Sequence, residues 1–144
     1  MNLAKCLKMR EGNKRIIEEV LDEIEAALKD PKGVQSHQRR LAFYLSLGTI
    51  AITEGYLENL NVLKKGAKIN HSWFKKKKEN VKNLISGLII CPVENLKGID
   101  NLLDLAFEIE NQRNAIAYGG MVDEKILIEK INLFLKLKEK VKYD

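Results

Sequence analysis

Cysteine is almost missing from this chain. Cys6 and Cys91 are the only two, and neither has a histidine or a second cysteine at ligand spacing. That excludes a zinc site and a disulfide framework, and no metal or cofactor is expected. Sustained two-residue alternation of apolar and polar residues is absent too, which excludes half-buried strands. No apolar run is long enough for a bilayer: the longest, Leu41 to Ile52, falls short of the roughly 20 residues a crossing needs. No N-terminal apolar run leads into a cleavage signal. With so few thiols, the chain reads as a cytoplasmic protein without a membrane partner. The sequon Asn70-His71-Ser72 would go unused there.

What is present is helical patterning. The 144 residues, 45% hydrophobic and 31% charged, suit one globular domain spanning 1–144. Ile16, Ile17, Val20, Leu21, Ile24 and Leu28 recur at three- and four-residue spacing and predict a helix over 13–29, stopped by Asp30-Pro31-Lys32-Gly33. A second helix, capped by Ser36 and extending to Lys65, is apolar almost all round and must be central. Its Gly48, Ala51 and Gly55 form a small-residue stripe against which another helix, from this chain or a second copy, can approach closely. A third helix is expected over 73–88 with Ser72 as its cap. A fourth should start near Asn95 or Gly98 and run to Gly119, taken as a left-handed cap. The last is capped by Asp123 and runs over 124–142. The fold class expected is all-α, a four-helix up-and-down bundle with an additional helix.

Charge is unevenly placed. Net charge is +5, yet Lys64, Lys65, Lys68, Lys75, Lys76, Lys77, Lys78 and Lys82 face a single acid, Glu79. From 94 to 110 the balance reverses, with Glu94, Asp100, Asp104, Glu108 and Glu110 against Lys97. Such a dipolar chain attracts polyanions to one region or a second copy of itself. Trp73-Phe74-Lys75-Lys76-Lys77-Lys78, with Lys82, is the candidate nucleic-acid surface, lysines holding phosphates and an aromatic face open to stacking. The competing reading has Trp73 and Phe74 anchored in the core and the lysines solvated. Asp100, Asp104 and Glu108 recur every four residues as a solvated acidic ridge. Glu54, inside an apolar helix, needs a partner if buried, and Arg113 is a candidate.

Arg113 is the one arginine outside the N-terminal third, where Arg10, Arg15, Arg39 and Arg40 lie. Its planar fork of donors grips a phosphate or carboxylate from two sides. It opens Arg113-Asn114-Ala115-Ile116-Ala117-Tyr118-Gly119-Gly120, which sets an arginine, an amide and a phenol beside an expected helix end. Either it meets an anion there, or it pairs with Glu110 and locks the helix.

This arrangement resembles the HEPN signature, an arginine followed after four to six residues by a histidine, with a polar residue next to the arginine. The Asp-capped last helix, the long apolar helix and the Asn70-His71-Ser72-Trp73-Phe74 segment are compatible with it. The resemblance implies an all-α homodimer acting on RNA or nucleotides, often as a metal-independent ribonuclease in toxin–antitoxin, defence or RNA-processing systems, with a nucleotidyltransferase as a partner protein. Arg113, Asn114 and Tyr118 are then the catalytic positions, but Tyr118 stands where the histidine belongs. Gly120 stands where a variant of the motif has a tyrosine.

Cleaving RNA without a metal requires a group that accepts a proton near neutral pH, as an ordinary histidine does at pKa about 6.5. A tyrosine with pKa about 10 is ionised about one part in a thousand there. The leading expectation is therefore an RNA- or nucleotide-binding HEPN-like dimer with degenerate nuclease activity. Its rivals are a protein-interaction module or obligate dimer with Arg113 as a helix lock, and a ribonuclease working through Tyr118. His37 and His71, near expected helix starts and distant from Arg113 in sequence, are assigned exposed or capping roles.

Overall fold

Ile17, Val20, Ile24 and Ala27 lie on one buried stripe, and this amphipathic pattern forms α1, Glu11–Lys29, of a computed structural model that describes residues 10–141. α1 ends at Asp30, whose extended backbone is what a residue before proline prefers. A 3₁₀ turn, Val34–His37, leads into α2, Gln38–Asn59. Ser36 lies within that turn and bonds the Gly33 carbonyl, so it does not cap α2. As its all-round apolarity demands, α2 is the central element, and α1 packs along it.

α2 stops six residues earlier than its composition suggests. Leu60 closes it, and Asn61 takes a left-handed φ of 57°, a conformation asparagine tolerates better than most residues. Beyond it Leu63 forms an isolated antiparallel bridge with Ile89. The segment expected as one helix over 73–88 divides into a 3₁₀ turn, His71–Lys75, and α3, Lys78–Ser86, with extended backbone at Lys76 and Lys77 between them. Asn70, rather than Ser72, caps the turn, accepting the Ser72 amide at 2.9 Å. A short turn at Val93–Asn95 follows.

The expected fourth helix is broken in two: α4 spans Ile99–Glu110 and α5 spans Arg113–Tyr118. Gln112 makes the corner with φ 67°. The last carbonyls of α4 need donors from elsewhere. Lys130 supplies them, donating to the Glu108 carbonyl and, at 2.7 Å, to that of Asn111. Burial pushes the Lys130 ammonium below the usual lysine pKa, against the pull of Glu129, Glu108 and Glu110. Lys130 lies on α6, Glu124–Lys140, which Asp123 caps as expected by accepting the Lys125 amide at 2.8 Å.

Gly119, expected as a left-handed cap, has φ −85°. Its need for glycine is steric, since a Cβ there would sit 2.6 Å from the Ala115 carbonyl oxygen. Gln38 secures the end of α5, its amide nitrogen donating to the carbonyls of Ile116 and Gly120 at 3.0 Å each. Arg39 adds a 2.8 Å bond to the Ile116 carbonyl.

α4, α5 and α6 all pack on α2, and α4 also packs on α6. At the crossing of α2 and α6 the Phe134 ring lies directly over Gly48, so the close approach offered there is taken up within the chain. Among the described residues the chain is all-helical with no strand, and no helix is long and apolar enough to cross a membrane.

Candidate functional site

A carboxylate at a helix C-terminus opposes the helix dipole, and burying it costs more still unless it is fully partnered. Glu110, in the last turn of α4, is completely buried. The Ser46 hydroxyl on α2 donates to its Oε2 at 2.7 Å. His71 Nδ1 lies 2.7 Å from its Oε1, and Arg113 Nε is 3.7 Å from the same oxygen. Facing a carboxylate, Nδ1 carries a ring proton, so Nε2 is the nitrogen left to accept one. Nε2 has no partner among the described residues, and about a third of the His71 side chain is open to solvent (35%). The expectation of a merely exposed or capping His71 is thus replaced: one buried carboxylate brings it beside Arg113.

Arg113 is held from several sides. Its guanidinium carbon lies 5.0 Å from the Phe43 ring centroid, in cation–π contact. Nη1 donates to the Asn114 side-chain oxygen at 2.9 Å. Nε, at 3.7 Å from Glu110, is beyond hydrogen-bonding reach and is buried without an acceptor. The side chain keeps 12% of its surface exposed. Tyr118, 71% exposed, sets its ring edge against Phe43 with centroids 5.9 Å apart and planes at 79°. The motif positions Arg113 and Tyr118 therefore both contact one aromatic ring from α2. Glu54 does not pair with Arg113. Its carboxylate accepts the Ile69 amide at 2.8 Å and lies 3.5 Å from the Asn13 amide nitrogen.

The lysine run is divided by its neighbours. Phe74 is buried and Trp73 is half-buried against the core, as the competing reading has it. Lys75, Lys76 and Lys77 are exposed. Lys78 pairs with Asp104 and Lys82 with Asp100, each at 2.9 Å. Hydrogen bonding to Asp104 holds Lys78 above the usual lysine pKa, and that from Lys82 holds Asp100 below the usual carboxylate range. A groove of about 150 Å³ runs between the two elements, lined by Phe74, Lys76, Lys77, Asp104 and Phe107 among others. Phe107, partly exposed, lies one turn before Glu110 on α4.

His37 takes a different part. Buried, it bridges Glu23 and Asp30 at 2.6 and 2.8 Å, using both ring nitrogens to tie α1 to the start of α2. Cys91 is half-buried and unpaired, and Cys6 lies outside the described residues. Among the described residues no group of three or more His, Cys, Asp and Glu side chains is placed to hold a metal ion.

Phe43, Phe107 and Ser46 belong to this surface or its support without being singled out by sequence pattern, whereas Glu110 is named there as the alternative partner of Arg113. The usable signal was Glu110 itself, an acid falling in register with the apolar Leu103, Ala106 and Ile109. Comparison of the chain with protein-family models, with curated proteins and with solved structures finds no match.

Proposed function

We propose that this protein is a HEPN-like helical domain that binds RNA or a nucleotide along the face running from Lys76 and Lys77 past Phe107 to Arg113, Phe43 and Tyr118. One observation carries the reading: cations stand beside partly exposed aromatic rings twice, Lys76 and Lys77 with Phe107 and Arg113 with Phe43 and Tyr118, the pairing that holds single-stranded nucleic acid by phosphate contact and base stacking. The up-and-down four-helix arrangement with an additional helix belongs to the same proposal and is supported by the packing of α1, α4 and α6 around α2. Tyr118 serves as a stacking and hydrogen-bonding group. The degenerate motif by itself supplies no base.

A homodimer without nucleic acid is the second reading. It is favoured by the contacts of Arg113 with Glu110, Asn114 and Phe43, which suit a helix lock, and by the exposed Phe43, Leu47 and Tyr118. Binding of a labelled single-stranded oligoribonucleotide, followed by fluorescence anisotropy, separates the two. With three or four phosphates neutralised, affinity is expected to fall about 20- to 50-fold between 50 and 200 mM salt. Exchanging Lys76 and Lys77 for glutamate should flatten the logarithmic salt slope by more than about 1. Absent or salt-independent binding would leave the dimer reading in place.

A further inference from the structure

We infer that His71, oriented by Glu110 and flanked by Arg113, is the general base of a phosphodiester-cleaving site lying outside the arginine-to-tyrosine motif; this inference rests on the RNA reading above. The geometry is that of a histidine–carboxylate dyad. Glu110 is completely buried and fixed by Ser46, so it cannot swing to solvent, and it holds the imidazole through Nδ1 at 2.7 Å. That bond fixes the tautomer and the ring's direction, and leaves Nε2 unpartnered on a part-exposed face. His37 in this same chain gives the contrast, buried with both nitrogens bonded between Glu23 and Asp30.

The surroundings select the substrate. Arg113 approaches the same Glu110 oxygen that orients the imidazole, and its Nη2 takes no hydrogen bond among the described residues, which leaves a guanidinium edge for a phosphate. The exposed Lys76 and Lys77 share a groove with Phe107, which lies one turn before Glu110 on α4, and suit a polyanionic strand. One base beside one cation fits a substrate that carries its own nucleophile, and the ribose 2′-hydroxyl is one.

The reaction balances without any redox partner. His71 Nε2 takes the 2′-hydroxyl proton while that oxygen bonds to the adjacent phosphorus. The bond from phosphorus to the 5′-oxygen of the next nucleotide breaks, and the departing oxygen takes a proton from water. His71 returns its proton to the hydroxide so formed. The products are a 2′,3′-cyclic phosphate and a 5′-hydroxyl.

The test measures binding and cleavage on the same full-length chain with a single-stranded oligoribonucleotide. Cleavage to cyclic-phosphate ends is expected, with none when each 2′-hydroxyl is methylated. His71→Asn keeps an amide donor facing Glu110 and removes the base. It should retain RNA affinity within about twofold, lower the rate about 10²- to 10⁴-fold, and abolish the rise of rate with pH. Glu110 is a positioning residue, and Glu110→Gln should shift that pH profile rather than remove it. RNA bound but left intact by the native chain, or cut equally well by His71→Asn, overturns the inference and leaves the binding proposal standing. Failure to bind RNA at all overturns both.

Discussion

Glu110→Ala is expected to cost about 3–5 kcal/mol of folding stability, the range found when one member of a buried charged pair is removed. The carboxylate is completely buried and meets Ser46, His71 and Arg113 at once. Its loss strands the buried Ser46 hydroxyl and leaves Arg113 with no acid beside it. His71 suffers least, because it is part-exposed and can turn to water. Glu110→Gln preserves the shape and one acceptor, and should cost about 1–2 kcal/mol, a hydrogen-bond-sized loss. Urea unfolding at constant m-value gives both numbers from the midpoints. A loss under about 1 kcal/mol for the alanine variant would mean that the cluster is not held in the arrangement described.

That magnitude bears on why such a cluster exists. Removing one member is expensive, yet a buried polar network is seldom the most stable filling of a core, and a well-packed apolar replacement of the whole often does as well or better. Apolar residues in place of Ser46, Glu110 and His71 would cost the fold little in principle. Retaining a carboxylate at a helix C-terminus, against the dipole, fits a fold in which the imidazole and guanidinium must be presented at a surface. On the binding proposal, a helix-lock role for Arg113 and its availability to a ligand would be two aspects of one placement. Glu110 and Phe43 fix where the guanidinium sits, and its outer edge remains to be used.

How far the chain could be read in advance depended on the range of the deciding interaction. α1 and the start of α6 follow their apolar periodicity and, for α6, the Asp123 cap, because those signals lie within the element itself. The end of α2 and the α4–α5 corner did not show, because each turns on a non-glycine residue in left-handed conformation, Asn61 or Gln112; the Asn61 and Val62 amides on the Glu58 and Leu57 carbonyls close the first, and a tertiary contact holds the second. At the corner the contact is Lys130, from a helix about twenty residues further on, holding carbonyls that α4 leaves open. The site divided the same way. Glu110 and Arg113, three residues apart, were legible as neighbours. His71 reaches Glu110 across 39 residues, which no spacing rule anticipates. Nor did the acidic ridge on α4 announce that it would take Lys78 and Lys82, leaving Lys75, Lys76 and Lys77 exposed.

Gly48→Ala should destabilise the protein by about 1–3 kcal/mol, the cost of overpacking a filled core, although alanine in place of a mid-helix glycine ordinarily gains about 1 kcal/mol. A Cβ at this position would lie 2.5 and 2.7 Å from Cε1 and Cζ of Phe134 and 3.1 Å from Cγ2 of Val20. Phe134 is completely buried and Val20 likewise, so neither can swing aside without opening the contact between α2 and α6. Trimming the ring should relieve the conflict. In a double-mutant cycle the alanine is expected to cost at least about 1 kcal/mol less in a Phe134→Leu background than in the native one, as coupled neighbours do. A Gly48→Ala variant stabilised by its full propensity gain would contradict the close crossing. The crossing also limits how the chain can associate. With Gly48 spent on Phe134, and Ala51 and Gly55 buried, the small-residue stripe of α2 has no room for a second copy. Exposed apolar side chains on α2 and α5, Phe43, Leu47 and Tyr118, offer a dimer surface that would adjoin the proposed nucleotide face. Dimerisation and RNA binding would then act on adjoining surface, and a substitution such as Leu47→Asp should report on the first through sedimentation and on the second through anisotropy.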